Sequence, residues 1–128
     1  MDKKILIVAS LLGIIGIALG AFGAHGLKAL ISFEKQQTFE TGVRYQMYHA
    51  LFLLFVGSTN YIGEKAKKVI FYLVAIGVLF FSGSIYGLST NELTRFDFKT
   101  IAFMTPIGGL LFILAWVFVF IELIKNKR

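Results

Sequence analysis

A 128-residue chain that is 57% hydrophobic, with 14 Phe, five Tyr and one Pro, has too little polar side-chain surface to cover a soluble domain of its size. The length allows a single domain, residues 1–128, and the absence of cysteine excludes disulfides, thiolate metal sites and Cys nucleophiles. The net charge of +6 is not gathered into a basic, aromatic-interleaved polar surface, so it reads as membrane orientation and excludes a nucleic-acid partner.

Taken in chain order, the first apolar run is Ile5–Ala24, whose only polar member is Ser10. At 1.5 Å per residue it matches the ~30 Å of hydrocarbon in a bilayer. Residues 27–41 alternate apolar Leu27, Leu30 and Ile31 with Lys28, Ser32, Glu34 and Lys35, which predicts a short interfacial helix stopped by Gly42. Residues 44–62 form a second span and the polar member of the set, carrying Arg44, Tyr45, Gln46, Tyr48, His49, Ser58, Thr59 and Asn60. After the basic turn GEKAKK, residues 69–88 form a third span. Residues 89–104 mix Glu92, Arg95, Asp97 and Lys99 with Phe96, Phe98 and Phe103, a pattern suited to resting on headgroups. The last span is 101–121: either Thr105 and Pro106 begin its helix as cap and first-turn proline, or a kinked helix starts near Asp97. The expectation is an all-α, integral membrane four-helix transmembrane bundle with a short interfacial helix between the first two spans, since a spanning backbone must satisfy its own hydrogen bonds.

Lys3, Lys4, Lys65, Lys67, Lys68, Lys125, Lys127 and Arg128 fall on one side of that topology, against Lys28, Lys35, Arg44, Arg95 and Lys99 on the other. The positive-inside rule then makes both termini cytoplasmic in a multi-pass protein. A cleaved signal peptide with Ala21-Phe22-Gly23 as its site is the competing reading of the first run, which is longer than the ~7–15 residues of a signal core.

On a helical wheel Gly13, Gly16, Gly20 and Gly23 share a face of the first span with Ala9 and Ala24. The third span offers Gly77, Gly83, Ser84 and Gly87, and the fourth Gly108 and Gly109. Small residues let helix backbones approach where lipid offers little hydrophobic gain, so these positions predict helix packing, within a chain or in a homo-oligomer.

Relative to His49 on the second span, Tyr45 lies at about −40°, Gln46 at about +60° and Asn60 at about +20°, while Arg44 points away. Polar groups are costly in lipid, so this face should look into the bundle. His25, at the end of the first span, is expected on the same outer side, bringing His25, Arg44, Tyr45, Gln46, Tyr48 and His49 together near the outer leaflet. Each has a structural reading, as an interfacial anchor or a cross-bundle hydrogen bond. The functional reading is a non-enzymatic binding or scaffold module whose outer-leaflet polar pocket holds a lipid headgroup, quinone or small amphiphile, with Arg44 holding charge and Tyr48 and His49 donating. A haem between His25 and His49 is a thinner alternative, and no metal or other cofactor is implied. Catalysis is not expected, because Ser82 and Ser84 have no base beside them and the only aspartates, Asp2 and Asp97, lie outside the spans. A small oligomeric transporter or channel is the alternative, though no span carries a central carboxylate and the inner halves are nearly devoid of polar residues apart from Ser58, Thr59 and Asn60.

The stretches GAFGAHGLKAL, TGVRYQMYHALFLL, FFSGSIYGL and TPIGGLLFILAW, in this order, resemble the small bacterial membrane-protein family of YwdK-like and YgdD-like proteins. The matching residues are Gly20, Gly23, His25, Gly26, Gly42, Arg44, Tyr45, Tyr48, His49, Ser82, Gly83, Pro106, Gly108 and Gly109. The resemblance implies a four-helix protein of the bacterial cytoplasmic membrane. The family is one of unknown function, so it supplies no catalytic residue. Residues 89–104 depart from its pattern.

Overall fold

The computed structural model describes residues 2–90 and 102–125. Most of the 89–104 segment, including the Asp97 alternative start of the last helix, lies outside the described residues. Four long helices make up the rest: α1 (Asp2–His25), α2 (Phe33–Ser58), α3 (Glu64–Ser89) and α4 (Met104–Lys125). By length and composition α1, α3 and α4 are able to cross a membrane; α2 is not in that set, because its first half carries Glu, Lys, Gln and Thr.

Local chemistry sets the helix ends. The Phe22 carbonyl accepts from the backbone N–H groups of Gly26 and Leu27 at 2.7 and 3.0 Å, which closes α1. Ser32 caps α2 by accepting the Lys35 N–H at 3.2 Å, with Glu34 in the favourable first turn. Pro106 falls in the first turn of α4, where a missing N–H is harmless.

Three predictions about the second helix and its approach are corrected here. Residues 26–31 form turns and bends rather than an interfacial helix, and α2 runs unbroken from Phe33 through Gly42. Glycine in a helix interior costs about 1 kcal/mol relative to alanine, so something else must favour it. A Cβ at Gly42 would stand 2.8 Å from Cε1 of Tyr86, so this glycine admits a tyrosine from α3 instead of ending the helix. At the other end α2 stops at Ser58, which leaves Asn60 outside it and off the face assigned to it.

Asp2 and Lys67 form an ion pair at 3.1 Å, and the Gly63 N–H donates to Glu122 at 3.4 Å. The starts of α1 and α3, the α2–α3 turn and the end of α4 therefore share one end of the bundle, and neighbouring helices alternate in direction. The main core joins all four helices through Ile5, Leu53, Val56, Ile70, Val74 and Ala115, each fully or almost fully buried. A smaller cluster of Leu27, Ile31 and Phe39 closes the opposite end. Outward faces stay apolar: Ile14 on α1 is 67% exposed and Phe120 on α4 65%, as lipid contact requires and water forbids.

The small residues divide by position. Gly16, Gly20 and Gly23 lie against Met47, Val43 and Phe39 of α2. Gly77 and Gly108 let α3 and α4 touch backbone to backbone, since a Cβ on Gly108 would run into the Phe81 nitrogen. Gly87 and Ser84 are buried, and the Ser84 hydroxyl meets that of Thr105. Gly13 and Gly83 face open space, and Gly109 is only loosely approached by Phe81. Beside the Gly108 contact, Leu79–Gly83 of α3 form a π-helical turn. Its Ser82 hydroxyl donates across to the Gly42 carbonyl at 2.8 Å.

Candidate functional site: a groove between α2 and α4

The stretch RYQMYH sends adjacent side chains to different helices. Gln46, 3% exposed, faces α1 and α3: its amide donates to the Leu12 carbonyl at 2.8 Å and its oxygen accepts from the Tyr86 hydroxyl at 2.6 Å. His49, also 3% exposed, faces α4. Its ring stacks on Phe112 with centroids 3.6 Å apart and an interplanar angle of 13°.

The hydrogen bonds of His49 assign its tautomer. The Trp116 indole N–H, a donor only, points at Nε2 from 3.2 Å, so Nε2 must be the acceptor. Nδ1 then carries the hydrogen and donates to the Tyr45 carbonyl at 2.7 Å. The imidazole is thus neutral, with both nitrogens engaged, and neither is open to a haem iron in this arrangement.

Above this pair lies a groove of about 620 Å³, within the range typical of small-molecule sites. Tyr45, His49, Phe81, Phe112 and Trp116 supply its rings, and Pro106, Gly109, Leu110 and Ile113 the rest of its wall. No charged side chain lines it. The Tyr45 ring, 38% exposed, rests on Phe81 with centroids 5.0 Å apart.

Of the predicted site residues, only Tyr45 and His49 reach this groove. Tyr48 is half exposed and touches the edge of Tyr45 without lining the space. Arg44 turns outward and pairs with Glu40 at 3.5 Å on the surface of α2. His25 is exposed at the end of α1, and none of the polar or ring partners of His49 is on that helix. Gln46 serves the helix-to-helix contact instead. The six residues do not form one pocket: His25 stands apart on α1, and the 100° step along α2 splits the other five among different faces. Phe112 and Trp116, which complete the site, were missed in the sequence; their i, i+4 spacing and the presence of a single tryptophan were the available signals.

Comparison with known proteins agrees with this membrane architecture. Residues 19–109 match the family described as protein of unknown function (DUF423). The chain is 37% identical to UPF0382 membrane protein SH2409 of Staphylococcus haemolyticus, over 96% of this chain and 97% of that one. It is 34% identical to UPF0382 membrane protein YwdK of Bacillus subtilis (96% and 98% covered) and 34% identical to UPF0382 inner membrane protein YgdD of Escherichia coli (99% and 94%). No solved structure matches it. Apolar helices, a shared family region and relatives matched nearly end to end agree: the chain belongs to the DUF423 family of bacterial membrane proteins, whose function is unknown.

Proposed function

We propose that this protein is a non-enzymatic binding module of the bacterial cytoplasmic membrane whose α2–α4 groove holds a small uncharged amphiphile with a flat head, a quinone being one example. The observation that carries this reading is the groove itself: five aromatic or imidazole rings around about 620 Å³, with no charge on the wall. Rings of this kind bind a flat head by offset stacking and edge contacts, worth about 0.5–1.5 kcal/mol each beyond the area they bury. The half-exposed Tyr45 leaves a phenol at the mouth, able to donate to a carbonyl oxygen.

In this reading α2 is the fourth span. Its 26 residues extend about 39 Å, its inward polar groups are satisfied within the protein, Gln46 by Leu12 and Tyr86 and His49 by Tyr45 and Trp116, and the exposed Ser58 hydroxyl donates to the Leu54 carbonyl of its own helix at 2.6 Å. The end carrying Lys3, Lys4, Lys65, Lys68 and Lys125 faces the cytoplasm, with both termini.

Native mass spectrometry of protein released from membranes containing quinone tests the ligand. Wild type is expected to retain one such molecule per chain. Gly109→Leu, which adds bulk where the nearest atom lies 3.8 Å away, is expected to lose it while keeping the fold. A wild type without the adduct, or a Gly109→Leu variant that keeps it, would overturn the assignment. Orientation is read separately, since the chain has no cysteine. In intact spheroplasts Lys28→Cys should react with an impermeant maleimide, whereas Lys4→Cys and Lys65→Cys should react only after lysis.

A further inference from the structure

A second groove, of about 340 Å³, runs along α3 and against α4, and its chemistry differs from the first. Lys68 stands at its head, Tyr72 one turn further on, and Val69, Leu73, Ile76 and Leu111 make up an aliphatic trench. From Lys68 to Ile76 the trench follows α3 for about 12 Å. Val69, Tyr72 and Ile76 are each just over 40% exposed, so the trench opens outward.

The two adjacent lysines of this helix have different fates. Lys67 is buried against the core, with a side chain 3% exposed, and is neutralised by Asp2. Lys68 is exposed and has no ion-pair partner among the described residues. Glu64 lies one turn before it and Lys65 on the same turn, while Glu122, the nearest acid of α4 at this end, accepts the Gly63 N–H.

We propose that this groove is a site for an anionic phospholipid, its phosphate on Lys68, the Tyr72 hydroxyl at the glycerol-ester level and one acyl chain in the trench. Charge complementarity selects this occupant. A cation at the headgroup level with aliphatic surface directly below reproduces the amphiphile in register, and basic pockets between membrane helices are suited to such headgroups. A second copy of the chain fits poorly, because copies inserted in one membrane share an orientation and would bring their own lysines to the same level. The site is separate from the α2–α4 groove and stands or falls independently of it.

The experiment uses the full chain in nanodiscs of mixed phosphatidylglycerol and phosphatidylethanolamine, with retained lipid counted by native mass spectrometry. Wild type is expected to keep one phosphatidylglycerol in preference to phosphatidylethanolamine. One lysine near a charged surface is worth about 1 kcal/mol, so Lys68→Gln should cut that preference about fivefold. Lys68→Arg should restore it, and Lys65→Gln, outside the trench, should leave it unchanged. Ile76→Trp fills the trench without altering charge and should lower retention of both lipids. An equal loss in Lys65→Gln would show a diffuse field instead of a site and overturn the proposal. So would the absence of any preference in wild type, or a dimer mass abolished by Ile76→Trp.

Discussion

One helix, α4, forms a wall of two grooves that could hardly differ more. Toward α2 it presents Gly109, Leu110, Phe112 and Trp116, and meets a buried imidazole and two further rings. Toward α3 it presents Leu111 and meets an aliphatic stripe headed by a lysine. The α4 sequence is apolar all round, so the contrast comes from its partners. In α2 a costly polar residue is tolerated because Trp116 and the Tyr45 carbonyl saturate it. In α3 the polar group sits near the helix start and is exposed. Polar chemistry inside the bilayer has to be bonded internally, whereas at the rim it remains free for a ligand.

The most severe way to break the comparison is Gly108→Leu. The added side chain would drive into the backbone of α3 at Phe81 and Gly77, which cannot rotate away, and so spread both grooves at once. A loss of roughly 3 kcal/mol is expected from overpacking, read as a lower unfolding midpoint in detergent. Asp2→Ala comes next, for it strips the partner from buried Lys67. Removing one member of a fully buried pair costs about 3–5 kcal/mol, but Asp2 is half exposed, so about 2 kcal/mol is expected. Unfolding of the variant should recover in part with Lys67→Met, which no longer needs a partner. The smallest effect sharpens the comparison instead. Trp116→Phe keeps an aromatic ring, though a smaller one, and deletes the N–H given to His49, at about 1 kcal/mol, and should alter ligand retention in the α2–α4 groove while leaving lipid selection at Lys68 intact. If both sites change together, the grooves are coupled through α4.

The apolar helices were legible because a bilayer demands long uninterrupted runs, and Ile5–Ala24 and residues 69–88 are both of that length. The start of α2 was not. Lysine, glutamate and threonine before Gly42 look like surface, and a glycine there looks like a stop, until Tyr86 is seen to need the space. Half of the site was readable: the 100° step placed Tyr45 and His49 on one face. The α4 half was hidden, since a helix apolar on every side has no stripe to give its rotation away. The π-helical turn at Leu79–Gly83 also had no plain signal in the residues; it lies beside the close approach of Gly108 to Phe81 on the neighbouring helix.

From its residues alone, this protein is committed to lipid, to helices and to a basic end, because solvation free energy is summed along the chain and needs no partner. Which histidine nitrogen carries the proton, which lysine is spent and which is free, and where a glycine admits a neighbour were decided only when the helices met. Those properties belong to pairs of groups brought within a few ångströms, and nothing local to either member encodes them.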